Sequence, residues 1–287
     1  MNQNKIAIMV DSCTDVSEEL LVKMGIYSVP ITIIYKDGEY RDKIDITSQE
    51  VYDRLTVETP RTSLPSGESI SNAFNQIVQD GYEKLIIISI SSALSGTYNM
   101  MHIMAEEFAG LQTKVIDTKS ISYGAGSQAV LAAQLAQEGC GFEEIIEKIQ
   151  QSIIDSKIFF CLSTLEYLAR GGRIGKVSAV LGSLLKIKPI ITCNEEGVYT
   201  IASKVRGRAH AIAETVNFAV REAGKHVACS IAVIEGNAKE EAARVLEEVK
   251  RRIPNCKSFQ EQSVGPALVV HTGPGLLGIN VQALPIA

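Results

Sequence analysis

The sequence predicts an α/β protein of two domains: an N-terminal three-layer α/β/α domain with a parallel sheet, and a C-terminal α/β domain with a mixed sheet. A chain of 287 residues exceeds what a single core usually organises. In the first half, short β-rich runs alternate with helical periodicity, which is typical of a parallel sheet covered by helices on both faces. In the second half, two β-rich runs separated by a short turn sequence predict a β-hairpin, which is typical of a mixed sheet. We place the domain boundary between residues 156 and 157.

The first elements are predicted from apolar runs and the residues that bound them. Residues 5–11 (KIAIMVD) form a β-rich apolar run, and residues 17–24 form a short helix with Ser17 as its cap. Residues 27–35 (YSVPITIIY) predict a second strand, although Pro30 favours an edge or the start of a strand. The same patterns predict helices at 48–55, 66–81, 95–109, 123–137 and 142–155, and strands at 84–90 and 113–118.

The second half contains a strand at 158–164, followed by the glycine-rich basic stretch ARGGRIGK at 169–176. Two β runs, 185–194 and 198–205, are joined by Glu-Glu-Gly, which predicts a hairpin. The remaining predicted elements are helices at 207–224 and 238–253, and β runs at 228–236, 256–262, 266–272 and 278–285.

Composition narrows the classes of function. Hydrophobic residues make up 46% of the chain and charged residues 21%, as in an ordinary globular protein. A net charge of −5 argues against a nucleic-acid-binding surface, which needs a basic excess. The six cysteines form no C-x-x-C pair and none lies near a histidine at metal-ligand spacing, so we expect neither a metal nor a cofactor. Without a disulfide framework or a long apolar segment, we expect a cytoplasmic protein with no membrane span.

Acidic and hydroxyl-bearing residues follow the predicted parallel strands, at 11–15, 91–97 and 117–118. In a parallel α/β sheet, ligands bind outside the carboxyl ends of the strands. Ser95 and Gly96 would open the next helix, where free N–H groups and the helix dipole favour an anion. The alternative is that Ser95 is only an N-cap.

Two further places carry candidate site residues. Thr62 and Ser63 lie in a proline-bounded loop before a helix, where their hydroxyls could reach an anion; the alternative is a turn with Ser66 as a helix cap. His271 follows a short apolar run predicted as a strand and precedes Gly-Pro-Gly. An imidazole there can donate to an anion and titrates near neutrality. A structural histidine remains the alternative.

The same residues allow other kinds of site. Ser95, Asp117 and His271 follow the chain order of a hydrolase triad, but the G-x-S-x-G elbow is missing. The stretch 169–176 does not match the phosphate-loop pattern. Two interpretations of it remain: a solvent-exposed loop, or a phosphate-binding module that uses Arg173. The small residues of 124–136 allow close packing of another helix or of an acyl chain.

Five stretches together resemble the DegV family: DSCTD at 11–15, RTSLPS at 61–66, ISSALSGTYN at 90–99, LARGGRI at 168–174 and VVHTGPGLLG at 269–278. They fall in the order and spacing of that family across essentially the whole chain. The resemblance implies a two-domain DegV-like fold and a bound long-chain fatty acid, such as palmitate or oleate. It also implies a non-catalytic carrier subunit in bacterial phospholipid metabolism. The carrier presents the fatty acid, and a separate fatty acid kinase subunit phosphorylates its carboxyl group with ATP.

The same resemblance assigns roles to individual residues. The hydroxyls of Thr62 and Ser95 would hold the carboxylate, with Gly96 beside them and His271 completing the polar network. Arg173 and, in a more variable context, Arg206 would lie on the face that meets the kinase. The same positions leave open the competing reading, a serine hydrolase that acts on lipid esters through Ser95 and His271.

Overall fold

The computed structural model describes residues 2–180 and 187–284. The strands in this part of the chain are β1 (Ile6–Asp11), β2 (Ile26–Val29), β3 (Thr32–Tyr35), β4 (Gly38–Arg41), β5 (Arg61–Ser63), β6 (Lys84–Ser89), β7 (Gln112–Asp117), β8 (Lys157–Cys161), β9 (Ile187–Cys193), β10 (Tyr199–Arg206), β11 (Cys229–Gly236), β12 (Cys256–Ser263) and β13 (Leu276–Ala283). The helices are α1 (Glu18–Met24), α2 (Ser48–Arg54), α3 (Gly67–Gln79), α4 (Thr97–Glu107), α5 (Tyr123–Gln137), α6 (Phe142–Asp155), α7 (Glu166–Arg170), α8 (Arg208–Ala223), α9 (Lys239–Arg252) and α10 (Pro266–Thr272).

The first half forms the predicted three-layer arrangement. Its sheet is parallel, in the order β2-β1-β6-β7. Alternate residues of each strand point to opposite faces. Ile86 and Ile88 pack against α5 and α6, whereas Leu85 and Ile87 pack against α3 and α4. Burial on both faces explains why these strands are nearly continuous apolar runs, and the predicted architecture is confirmed.

The second half forms the predicted mixed sheet, in the order β10-β9-β8-β13-β11-β12. Neighbouring strands are antiparallel except β11 and β12, which run parallel. Helices α8 and α9 cover one face through an alanine- and valine-rich contact. The division of the strands between the two sheets agrees with a boundary between 156 and 157, which stays a prediction.

Helix α5 joins the two halves. Its small residues let backbone approach closely: a Cβ at Gly126 would lie 2.3 Å from the Thr14 carbonyl oxygen. On the other side, Asn280 of β13 donates to the Ser127 hydroxyl at 3.1 Å, and Gln282 donates to the Ser127 carbonyl at 2.9 Å. The small residues of 124–136 therefore serve contacts with the loop after β1 and with a strand of the mixed sheet.

Two sequence predictions are wrong in the first half. Residues 27–35 form two strands, because Pro30 lacks the N–H that would continue the ladder and the chain turns there into a different sheet. Strand β3 joins a small antiparallel sheet in the order β4-β3-β5. Thr62 consequently lies on a three-residue strand paired with Ile33, not in a loop.

The prediction of a strand at 266–272 is also wrong. These residues form helix α10, with Gly265 at its N-cap and Pro266 in its first turn, where a missing N–H is tolerated. Six of its seven residues are buried, so no helical periodicity was visible in the sequence. The run predicted at 185–194 is observed as β9 from Ile187 onward; residues 185–186 lie outside the described residues.

Across the described ranges, every helix is too short or too polar to traverse a lipid bilayer.

Candidate functional site

A cavity of about 270 Å³ lies between the carboxyl edge of the parallel sheet, the small sheet, α10 and the mixed sheet. Most of its wall is apolar and includes Ile31, Ile90, Ile158, Phe160, Ile234 and Leu276. Several polar side chains also line it, among them Thr62, Ser95, Arg173 and His271. An apolar cavity with a few convergent polar groups is typical of a small-molecule site.

Thr62 and His271 are in direct contact, although 209 positions separate them in the chain. The Thr62 hydroxyl lies 2.8 Å from Nε2 of His271. Pairing of β5 with β3 places Thr62, and the last turn of α10 places His271. Nδ1 of His271 is buried and has no hydrogen-bond partner within the described residues.

Burial, and secondarily the nearby Arg173 guanidinium, lowers the pKa of His271 from 6.5 to about 4. Both causes act in the same direction because each disfavours the charged imidazolium. The imidazole is therefore neutral at physiological pH, and the expectation that it titrates near neutrality is wrong. Arg173 is instead the cation at this end of the cavity.

The glycine-rich stretch brings Arg173 to the histidine. A Cβ at Gly171 would lie 2.1 Å from Nδ1 of His271, so only glycine lets this loop pack against the ring. Arg173 donates from Nη1 to the Gly171 carbonyl at 2.8 Å and from Nε to the Leu94 carbonyl at 3.4 Å. The arginine thereby connects the loop that carries it to the segment that carries Ser95.

Ser95 stands immediately before helix α4. Its Oγ lies 2.8 Å from the Thr97 hydroxyl and accepts a hydrogen bond from the Thr97 N–H at 3.3 Å. Gly96, not Ser95, occupies the N-cap position, and it has no side-chain cap. Gly96 packs under Leu64, whose Cδ2 would lie 3.4 Å from an added Cβ. Ser95 therefore forms hydrogen bonds within its own turn and still lines the cavity.

Arg206 is not part of this cavity. It is exposed at the far end of β10, whereas Tyr199 at the near end lines the cavity wall. A strand of this length separates the two residues by about 20 Å.

The residues of the hydrolase reading do not form a triad. Asp117 accepts from the Ser92 N–H at 3.2 Å and pairs with the Lys119 ammonium at 2.7 Å. His271 contacts Thr62 through Nε2, and its Nδ1 has no carboxylate partner among the described residues. A triad requires a base that bonds the nucleophile on one side and an acid on the other. The geometry therefore gives no support to Ser95 as a nucleophile.

Sequence reasoning missed the residues that hold α10 in place. Asp15 accepts from the Gly265 N–H at 2.8 Å and from the Ser122 hydroxyl at 2.6 Å, and it pairs with the Lys43 ammonium at 3.1 Å. The neighbouring Asp42 is likewise buried and accepts from a backbone N–H in the first turn of α10 at 2.9 Å. These carboxylates orient the helix that carries the cavity histidine. The available signal was the acidic residue that closes the DSCTD stretch.

The chain was compared with known families and proteins. The family model for uncharacterised proteins of the DegV family matches residues 5–284. A DegV domain-containing protein of Clostridium perfringens is 40% identical over 280 residues, which are 97% of this chain and 98% of that protein.

Solved structures have the same fold. A fatty-acid-binding DegV family protein from Thermus thermophilus has a TM-score of 0.92 and 28% identity, covering 99% of this chain and 100% of that one. A stearic acid-binding protein from Eubacterium ventriosum has a TM-score of 0.88 and 28% identity, covering 97% and 98%. The family match spans nearly the whole chain and its motifs converge on one cavity, so the chain belongs to the DegV family.

Proposed function

We propose that this protein binds a long-chain fatty acid, with the hydrocarbon tail in the apolar cavity and the carboxylate at its polar end. The single observation that carries the proposal is the convergence of Thr62, Ser95, Arg173 and His271 in the lining of one largely apolar cavity. The proteins from Thermus thermophilus and Eubacterium ventriosum, which bind fatty acids, support it.

The tail supplies the affinity. Burying about a dozen methylenes at about 0.8 kcal/mol each is worth on the order of 10 kcal/mol before the entropic cost of association. The head group sets orientation, because a buried carboxylate without hydrogen-bond partners would be strongly disfavoured. The polar residues therefore matter chiefly by removing that penalty.

The hydrogen bonds allow both hydroxyls to donate to a carboxylate. With its proton on Nε2, neutral His271 donates to the Thr62 oxygen and leaves the Thr62 O–H free. With Thr97 donating to Ser95, the Ser95 O–H is likewise free. A carboxylate accepts only, so two hydroxyl donors oriented by neighbouring groups match it. The Arg173 guanidinium provides the compensating charge.

We further infer that the protein is a non-catalytic carrier that presents the acid to a fatty acid kinase in the bacterial cytoplasm, with no cofactor of its own. Palmitate and oleate are the acids to test first, and phospholipid synthesis is the expected use of the product. Arg173 at the cavity mouth and the exposed Arg206 are the positions proposed to meet the kinase. Because Arg206 lies at the far end of β10 from the cavity wall, a partner that meets both arginines needs a broad contact face.

Native mass spectrometry of the protein purified from bacteria tests lipid binding. We expect a mass excess equal to a long-chain fatty acid that is lost on denaturation. Protein without this mass excess that also fails to bind added palmitate or oleate would contradict the proposal. A fluorophosphonate probe distinguishes a fatty-acid carrier from a serine hydrolase, because the probe labels a nucleophilic serine and does not label a serine that is only a hydrogen-bond donor.

A further inference from the structure

Two cysteines lie opposite each other at one edge of the mixed sheet. Cys229 begins β11 and Cys256 begins β12, and the parallel register of the two strands pairs these residues directly. Paired residues on neighbouring strands have Cα atoms about 5 Å apart, within the range of about 4.4–6.8 Å that a disulfide spans. Both side chains pack on the face that α8 and α9 cover. The backbone therefore places the two sulfur atoms side by side.

The two thiols form a short hydrogen-bonded chain. Cys229 donates its S–H to the sulfur of Cys256, and the Cys256 thiol donates to the Ser258 carbonyl oxygen at 2.9 Å. The hydrogen bond from Cys229 lowers the pKa of Cys256 and raises the pKa of Cys229, because it stabilises the thiolate of the acceptor and the thiol of the donor. Cys256 is thus the sulfur that ionises first, and Cys229 keeps its proton beside it.

Exposure gives the two sulfurs different roles. Cys256 is partly exposed, whereas Cys229 is fully buried. A reactive cysteine is a thiolate that a reagent can reach. Cys140 is also partly exposed, but desolvation and the neighbouring Glu144 raise its pKa, and its sulfur contacts the Lys148 ammonium at 3.7 Å. Cys256 therefore combines access, a lowered pKa and an adjacent thiol, and Cys140 serves as the comparison.

The surrounding backbone can accommodate a covalent link. The register between β11 and β12 shifts between Cys229 and Ser230, which leaves Lys257 as the extra residue of a bulge. A bulge interrupts the ladder, so the strand ends next to it can adjust. Strand β12 is at the edge of the sheet and leads to Gly265, the N-cap of α10. A link at this point would fasten the edge strand that precedes the helix carrying His271.

We propose that Cys229 and Cys256 form a reversible disulfide when the protein meets a peroxide, with Cys256 as the reacting sulfur and Cys229 as the resolving one. The Cys256 thiolate attacks one oxygen of hydrogen peroxide, and the O–O bond breaks to release hydroxide with its electron pair. The Cys229 sulfur then attacks the resulting sulfenic acid, so that an S–S bond forms and the hydroxyl leaves with the Cys229 proton as water. In total the two thiols lose two electrons and two protons, and the peroxide becomes two water molecules. A dithiol reverses the reaction by exchange.

The test uses the full chain, which is reduced, freed of reductant, treated with hydrogen peroxide and then alkylated. We expect intact mass spectrometry to show the loss of two hydrogen atoms and peptide mapping to join Cys229 to Cys256, with dithiothreitol reversing both. The oxidised protein should melt about 5 °C higher than the reduced protein, because the link restricts the unfolded chain. Oxidised protein that melts no higher would overturn the fastening of β12.

Three variants separate the roles of the sulfurs, and thermal melting verifies the fold of each. Cys229→Ala removes the resolving thiol and should leave a sulfenic acid on Cys256, which dimedone traps. Cys256→Ser should form neither a disulfide nor a dimedone adduct at Cys229. Cys140→Ser removes the comparison cysteine and should form the disulfide at the wild-type rate. Peroxide-treated wild type in which Cys229 and Cys256 are both still alkylated, or in which Cys140 oxidises faster than Cys256, would overturn the proposal.

Discussion

The two ends of the cavity are built in different ways. The apolar end is formed by strands of the mixed sheet, whose inward residues, such as Phe160 and Ile234, are buried and held by long hydrogen-bonded ladders. The polar end is assembled from a three-residue strand, a turn before a helix, a glycine-rich loop and the last turn of α10. The regular sheet thus forms the space that an apolar ligand fills, whereas the irregular segments carry the polar groups that orient the ligand.

The polar end depends on distant support. Asp15 and Asp42 accept hydrogen bonds from the start of α10 and so determine where His271 lies at its other end. The apolar end needs no comparable device, because packing alone positions its side chains. We therefore expect changes at the two ends to have different signatures: lost affinity at the apolar end, and lost stability or lost orientation at the polar end.

Asp15→Ala should produce the largest effect. It removes the acceptor for Gly265 and Ser122 and leaves the Lys43 ammonium without its partner, which should cost about 3 kcal/mol of unfolding free energy in urea denaturation. Asp45→Ala, which breaks a pair with Arg41 at the surface, should cost less than about 1 kcal/mol. Equal losses in the two variants would contradict the role of Asp15 as the anchor of α10.

Ile234→Trp should block part of the apolar end. Excluding about four methylenes at about 0.8 kcal/mol each would weaken palmitate binding by about 200-fold, measured by calorimetry. Ile234→Leu has nearly the same volume and should change affinity less than about fivefold. Full palmitate affinity in a folded tryptophan variant would mean that the tail lies elsewhere.

The double substitution Thr62→Ala and Ser95→Ala should leave the fold intact and weaken fatty-acid binding by about 2 kcal/mol, or about 30-fold. Acyl-phosphate formation with a fatty acid kinase should fall at least as far, because the carboxylate loses its orientation. Thr113→Ala removes a hydroxyl from β7 outside the cavity and serves as the control. Unchanged binding and unchanged acyl-phosphate formation would remove the proposed role of the two hydroxyls.

The smallest effect concerns pH. In ligand-free protein we expect the His271 imidazole to titrate near pKa 4 by NMR. A bound carboxylate favours the imidazolium, so the pKa of His271 should rise on binding. The complex then takes up a proton, and affinity should increase several-fold as pH falls from the raised pKa toward 4.

His271→Gln keeps a donor for Thr62 but cannot titrate, and comparison with it isolates this contribution. A His271 pKa that does not change on binding would place the carboxylate away from the ring.

Local patterns predicted the parallel sheet well. Strands β1, β6 and β7 and helix α3 were found near their true bounds, because buried runs and capping residues are strong local signals. Strands β4 and β5 were missed, since they are short and largely exposed and depend on pairing with β3, which is not visible in their local sequence. The seven residues of α10 were assigned to a strand because near-complete burial erases the period that distinguishes the two structures.

The sequence by itself determined the α/β class, the two sheets, the family motifs and the candidates Thr62, Ser95, Arg173 and His271. Only the tertiary structure decided that Thr62 contacts His271, that the imidazole is neutral, and that Arg173 faces the cavity while Arg206 does not. The reason is physical. Element type follows from local propensity and burial pattern, whereas the polarity and protonation of a site follow from contacts between segments that are distant in the chain.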